Sequence, residues 1–285
     1  MIINLMVLVH DRPVLMEATV HALMKQLPRR KVSKVILLAN DPTAEVLACA
    51  EKLAAFYGLT QVVFPSEQRA WNTGNAVNYC IRQHPADIYI KMDDDIFITH
   101  SHFVERMVRT LRDPHCGAAV ALAPVSQFMG YYCIEKLGLL PEYEERFGQP
   151  WNTHWLDGSF RNCELMLWLW EHTLNLSEAT QKLLQAQSGY VRTHEQVSIG
   201  TVCFSHAFWE RMGGFGVNQE QSLTKYLREI GYHFTIDTGN PVFHLGYNWC
   251  YVLMMEKVFP RLLEINQQLF APPPNYPVEK QEDQA

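Results

Sequence analysis

Residues 88–95 read Ile88-Tyr89-Ile90-Lys91-Met92-Asp93-Asp94-Asp95, an apolar stretch that stops in three consecutive carboxylates. Adjacent like charges repel, and an acid cluster at the end of a buried strand needs a cation to neutralise it. Side chains alternate along an extended chain, so Asp93 and Asp95 are expected on one side and Asp94 on the other. Two same-side carboxylates form a hard-oxygen site that suits Mg²⁺ or Mn²⁺, and such an ion suits a diphosphate. A solvated acidic loop is the plainer alternative. The apolar strand before the triplet, and Ile96-Phe97 directly after it, argue for the metal site.

Outward from this strand, the first half of the chain alternates strands and helices. Ile2–Val9 is a near-continuous apolar run, as in a strand buried on both faces. Pro13 opens a helix in which Leu15, Met16, Val20, Leu23, Met24 and Leu27 recur at helical spacing. Strands are expected at Val35–Ala39, Gln61–Phe64 and Ala118–Ala123, with helices at Thr43–Tyr57, Ala70–Arg82 and His102–Leu111. This order predicts an α/β fold with a mostly parallel sheet and helices on both faces. Ligands of such sheets bind at the carboxyl ends of the strands, where the acid triplet falls.

After residue 124 the chain becomes aromatic-rich and irregular. Leu165–Trp170 reads as a short buried helix, with a membrane contact as the other reading. Later come a strand at Ser198–Phe204, a helix at His206–Met212, a Gly213-Gly214-Phe215-Gly216 turn and a helix at Gln219–Ile230. Short strands at His233–Ile236 and Pro241–His244 precede one C-terminal helix, Tyr251–Phe270. The expected organisation is an α/β half (1–124), an irregular second half (125–250), a C-terminal helix (251–271) and a disordered tail (272–285).

With 285 residues, 48% hydrophobic and 19% charged, the chain can bury one sizeable core. A net charge of −6 argues against a nucleic-acid partner. Seven cysteines without C-x-x-C spacing read as reduced thiols of a cytoplasmic protein. Met1–Val9 lacks a basic leader and reads as a strand, not a signal peptide. The apolar face of the C-terminal helix leaves three uses open: packing on its own domain, pairing two subunits as a homodimer, or peripheral contact with the inner face of a membrane.

Four segments together resemble GT-A fold glycosyltransferases, particularly family 2: Val9–Pro13, Trp71–Asn78, Met92–Asp95 and Phe204–Phe215. The resemblance implies a nucleotide-diphosphate sugar as donor, a UDP-sugar by preference, and a glycan, lipid-linked or protein acceptor. It implies donor contacts from Val9, His10, Arg12, Asn40, Asp41, Gly74, Asn78, Asp93 and Asp94. It also implies a Mn²⁺ or Mg²⁺ ion on Asp93, Asp95 and the late His244. Aligning on Leu223 sets Gln219-Glu220 where the family carries an acidic pair, which makes Glu220 the expected general base and Gln219 a departure. Asp157 and Glu195 are reserve candidates, and the aromatics Tyr131, Tyr132, Trp151, Trp155, Trp168 and Trp170 are a candidate acceptor wall, or simply core. For several of these, plainer readings stand beside the functional ones: a helix cap for Asp41, Asn75 or Glu220, a close-packing contact for Gly74, a core histidine for His244. A retaining transferase, a nucleotidyltransferase and a silent nucleotide-sugar-binding protein are the rival functions.

Overall fold

The structure, a computed structural model, describes residues 1–64, 72–124, 129–149, 162–246 and 250–277. The first half alternates as its apolar runs predict: β1 (Ile3–Val9), α1 (Pro13–Gln26), β2 (Lys34–Asn40), α2 (Ala44–Tyr57), β3 (Thr60–Phe64), α3 (Thr73–Gln83) and β4 (Ile88–Asp93). A short β5 (Ile96–Phe97), α4 (Phe103–Thr110) and β6 (Cys116–Leu122) follow. The middle holds α5 (Met129–Lys136), α6 (Leu140–Phe147), α7 (Cys163–Thr173), α8 (Leu176–Gln185) and β7 (Tyr190–Thr193). The remainder is β8 (Thr201–Ser205), α9 (His206–Met212), α10 (Gln219–Glu229), β9 (His233–Pro241), β10 (Phe243–His244), α11 (Tyr251–Lys257), α12 (Phe259–Ile265) and α13 (Gln267–Phe270).

Eight strands form one sheet in the order β3-β2-β1-β4-β8-β6-β9-β7. Strands β3, β2, β1 and β4 pair in parallel, and β6 pairs parallel to β9, while β8 runs antiparallel between β4 and β6. Both halves of the chain therefore build the same sheet. Its interior strand β1 is buried along its whole length, which is why Ile3–Val9 has no polar face beyond Asn4. The helices start where short polar side chains cap them: Thr43 accepts from Val46 N at 3.3 Å, Asn162 from Leu165 N at 3.0 Å and Asn218 from Gln221 N at 3.0 Å. No helix among the described residues is long and apolar enough to cross a membrane.

Four differences from the sequence reading have physical causes. The C-terminal helix is three short helices: Pro260 lacks an N–H and restarts the chain in the first turn of α12. Asn266 ends that helix, because its side chain instead donates to Leu174 O at 2.7 Å and accepts from Leu176 N at 2.9 Å. The irregular middle contains α8, whose Leu176, Ala179, Thr180 and Leu183 are buried at helical spacing. The chain also stays docked past residue 272: Tyr276 is buried, edge-on to His21 and Phe56, and donates to Glu17 Oε1 at 2.7 Å. Finally, the cysteines are not all thiols. Cys163 and Cys250 form a disulfide that joins the start of α7 to the start of α11 across 87 positions, and five others are free.

The helix expected at Leu165–Trp170 is buried inside α7. Trp168 anchors a small separate core with Ile134, Tyr143, Leu165 and Leu169, and Tyr131 packs against its rim. Trp170 Nε1 donates to Leu245 O at 2.8 Å, and Tyr132 packs on the main core. Trp168 and Trp170 are thus buried packing residues, while Tyr131 and Tyr132 are half-buried at the edges of the two cores. Trp151 and Trp155 lie outside the described residues.

Candidate active site

Strand β4 ends at Asp93, so Asp94 and Asp95 belong to a turn and the expected alternation of the triplet does not hold. The turn directs Asp94 and Asp95 to one cation, Arg12, from the loop after the neighbouring β1. Arg12 Nη1 donates to Asp95 Oδ2 at 3.2 Å and Nη2 to Asp94 Oδ1, while the guanidinium lies 5.0 Å over the Tyr251 ring. The turn is pinned from two further sides: Thr19 Oγ1 donates to Asp94 O at 2.6 Å and Leu245 N to Asp95 O at 3.0 Å. Pairing of β10 with β5 then carries His244 to Asp95, with Nε2 3.4 Å from Oδ1.

Burial pushes the Asp94 carboxyl up to about 7 against the pull of Arg12. Burial acts on Asp95 in the same sense, but His244 and Arg12 outweigh it and hold that carboxyl at about 2. Burial works against charge on Arg12 and His244 as well, yet the facing carboxylates raise both above their ordinary values. Asp94 Oδ2 and Asp95 Oδ1 are buried and have no hydrogen-bond partner among the described residues.

A second group of contacts lies on the other side of the β4 terminus. Lys91, almost fully buried, reaches Asp93 Oδ1 at 2.5 Å and donates to Ile199 O at 3.2 Å. Asp93 N donates to Gly200 O at 2.9 Å. The next link is Glu220: its Oε1 accepts from Ile199 N at 3.1 Å and its Oε2 from Gln196 Nε2 at 3.1 Å. Glu220 sits in the first turn of α10, where the positive end of the helix favours a carboxylate. One short segment, 199–200, therefore joins Glu220 to Asp93. Gly200 lies against Asp93 and Ile96, since a Cβ there would meet Asp93 Oδ2 at 3.6 Å and the tip of Ile96 at 2.9 Å.

The other expected site residues divide. His10 Nδ1 pairs with Asn40 O at 2.7 Å, which joins the carboxyl ends of β1 and β2, with Val9 buried beside them. Asp41 has φ +51° and does not cap α2, a task that falls to Thr43. Asn75 is likewise no cap, because Asn72 Oδ1 takes that role for α3. Asn78 and Gly74 serve packing. The Asn78 amide donates to Phe215 O at 2.8 Å and accepts from Trp209 Nε1 at 2.8 Å and Phe215 N at 2.9 Å, so its polar groups are spent inside the protein. A Cβ at Gly74 would stand 1.8 Å from Gly216 O, so the glycine permits backbone contact between α3 and the Gly-Gly-Phe turn. Glu195 pairs with Arg228 at 3.2 Å on the surface, and Asp157 lies outside the described residues. Gln219 is buried, which explains the departure at that position: a neutral amide costs less there than a second carboxylate.

The donor chemistry of Asp95 and His244 fits a divalent cation, an orphaned carboxylate oxygen beside an imidazole nitrogen. Asp93, the third expected ligand, is engaged with Lys91. No three His, Cys, Asp or Glu side chains among the described residues are grouped so as to hold a metal. Lys91 and Tyr251 were missed from the sequence. Lys91 had a signal, a lone lysine in an apolar strand two residues before Asp93 and so on the same face.

A sequence model described as glycosyl transferase family 2 matches residues 5–163, from β1 into the start of α7. The chain belongs to this family. The chain shares its GT-A fold with solved structures that include a mannosyltransferase from Pyrobaculum calidifontis in complex with GDP-Man and Mn²⁺. That likeness has a TM-score of 0.54 and 14% identity over 93% of this chain and 64% of the other. GalNAc-T7, solved with UDP, GalNAc and Mn²⁺, aligns with a TM-score of 0.55 and 14% identity over 90% of this chain and 47% of that one. The chain thus spans less than two thirds of the length of either protein. No curated protein matches it significantly in sequence.

Proposed function

We propose that the transferase moves a sugar from a nucleotide-diphosphate sugar, by preference a UDP-sugar, to an acceptor hydroxyl with inversion, and that Glu220 is the general base. The observation that carries this reading is the linkage of Glu220 through Ile199-Gly200 to Asp93. It ties a half-buried carboxylate to the strand end where donors bind in open α/β sheets. Two donors, Ile199 N and Gln196 Nε2, orient that carboxylate and leave further lone pairs for an acceptor hydroxyl. Arg12, His10 and the Asn40 end of β2 line the nucleotide side of this reading.

Asp95 and His244 would hold Mn²⁺ or Mg²⁺, joined by Asp93 once it leaves Lys91, and the bound ion would supply positive charge against the developing charge of the leaving diphosphate. Arg12 orients Asp95 for that task and carries charge of its own to the same place. Glu220 takes the acceptor proton. In a panel of UDP- and GDP-sugars assayed with Mn²⁺, Glu220→Gln is expected to lower turnover by about 10²–10⁴ while nucleotide affinity by calorimetry stays near wild type. Unchanged turnover removes Glu220 from the role.

A further inference from the structure

A cavity of about 390 Å³ lies between α1, α2 and the C-terminal segment, apart from the transfer chemistry. Its size falls within the range of small-molecule sites and well above the ~150 Å³ hole that holds one benzene. Ala18, Leu263 and Phe270 give it an apolar wall, and Glu17, Lys52, His21 and Tyr276 supply its polar groups. It uses a different stripe of α1 from Thr19, which serves the acid turn.

The polar groups are unevenly satisfied. Glu17 Oε1 already accepts from the Tyr276 hydroxyl at 2.7 Å, and it meets Lys52 Nζ only at 3.5 Å. The ammonium also lies 4.6 Å over the Tyr276 ring. Lys52 carries three donors and spends one of them on a long contact. His21, nearly fully buried, shares Nδ1 with the Tyr57 hydroxyl at 2.8 Å, and its Nε2 has no hydrogen-bond partner among the described residues. Burial keeps this imidazole neutral by pulling it down to about 4, so Lys52 is the cation that faces the space.

We propose that the cavity binds a small amphiphile, an apolar chain or ring that bears one carboxylate, with the head group on Lys52 and the body against Ala18, Leu263 and Phe270. A dianionic phosphate fits less well, since one ammonium stands there beside the Glu17 carboxylate. A purely apolar ligand would leave the Lys52 donors unused.

The test uses the full chain, with sodium octanoate and 1-octanol as probes in calorimetry and ligand-observed NMR. Saturable one-to-one binding of octanoate, tighter than that of octanol, is expected. Lys52→Met should weaken octanoate about tenfold, the worth of one charge-assisted hydrogen bond, and leave octanol unchanged. Ala18→Phe should abolish both. No saturable binding by the wild type, equal affinity for the two probes, or wild-type octanoate affinity in Lys52→Met overturns the proposal. Should Ala18→Phe fail to fold, chemical shifts of the wild type decide: changes confined to Ala18, His21 and Phe270 support the site, and changes elsewhere refute it.

Discussion

Asp95 and Asp113 are both buried acids beside an arginine, at 3% and 6% side-chain exposure, yet they are treated in opposite ways. Asp113, just before β6, is saturated. Arg192 grips both its oxygens, at 2.8 and 2.5 Å, and His233 at 3.2 Å and Thr235 at 3.0 Å complete the shell. At the acid turn after β4, two carboxylates share one guanidinium, His244 Nε2 stands 3.4 Å from Asp95 Oδ1, and Asp94 Oδ2 has no hydrogen-bond partner among the described residues. A saturated buried acid stabilises a fold. An undersupplied pair costs stability and keeps acceptor capacity for something not made of protein. The same sheet thus carries one acid cluster that is fully paired and one, the proposed donor site, that keeps acceptor capacity.

The contrast breaks most readily at Arg12. Arg12→Met removes the cation shared by two buried acids, leaving His244 on Asp95, and is expected to lower unfolding free energy by about 3 kcal/mol in urea denaturation, with Asp94→Asn in that background restoring part of the loss. An Arg12→Met protein as stable as wild type would show that the turn carries no buried charge. Next comes Asp113→Asn, which removes charge-assisted hydrogen bonds and should cost about 2 kcal/mol. Its pH signature sharpens the comparison. Arg192 holds the Asp113 carboxyl below the ordinary carboxylate range, so the stabilisation is complete above about pH 4 and fades as the pH falls below it. The variant should therefore lose part of the wild type's acid-induced decline in thermal midpoint, and an identical acid limb would argue against the assignment. Smallest is Arg192→Met: its side chain is solvent-exposed and His233 and Thr235 remain on Asp113, so the urea midpoint should move less than for Asp113→Asn.

Much of the fold was legible because buried parallel strands advertise themselves as apolar runs. Ile2–Val9 and Val35–Ala39 could be little else, and the Asp93–Asp95 triplet marked the strand end where the cluster sits. The rest depended on partners distant in sequence. Asp94 and Asp95 face one arginine because the strand stops a residue earlier than strict alternation assumes. Asn78 looked like a donor ligand until Trp209 and Phe215 occupied its amide, and Tyr276 looked like tail until α1 and α2 supplied a seat. Glu220 was proposed from its place in a pattern, whereas Lys91, which joins Asp93 to the Glu220 segment, makes its contacts with residues two and 108 positions away. The Cys163–Cys250 pair carries no spacing motif at all.

That cystine has a topological consequence. It closes a ring that contains the Glu220 helix, the Gly-Gly-Phe turn and His244, so a protease that nicks the backbone anywhere inside the ring leaves the fragments tethered. For a cut between residues 163 and 220, the pieces carrying Asp93 and Glu220 drift apart only after reduction.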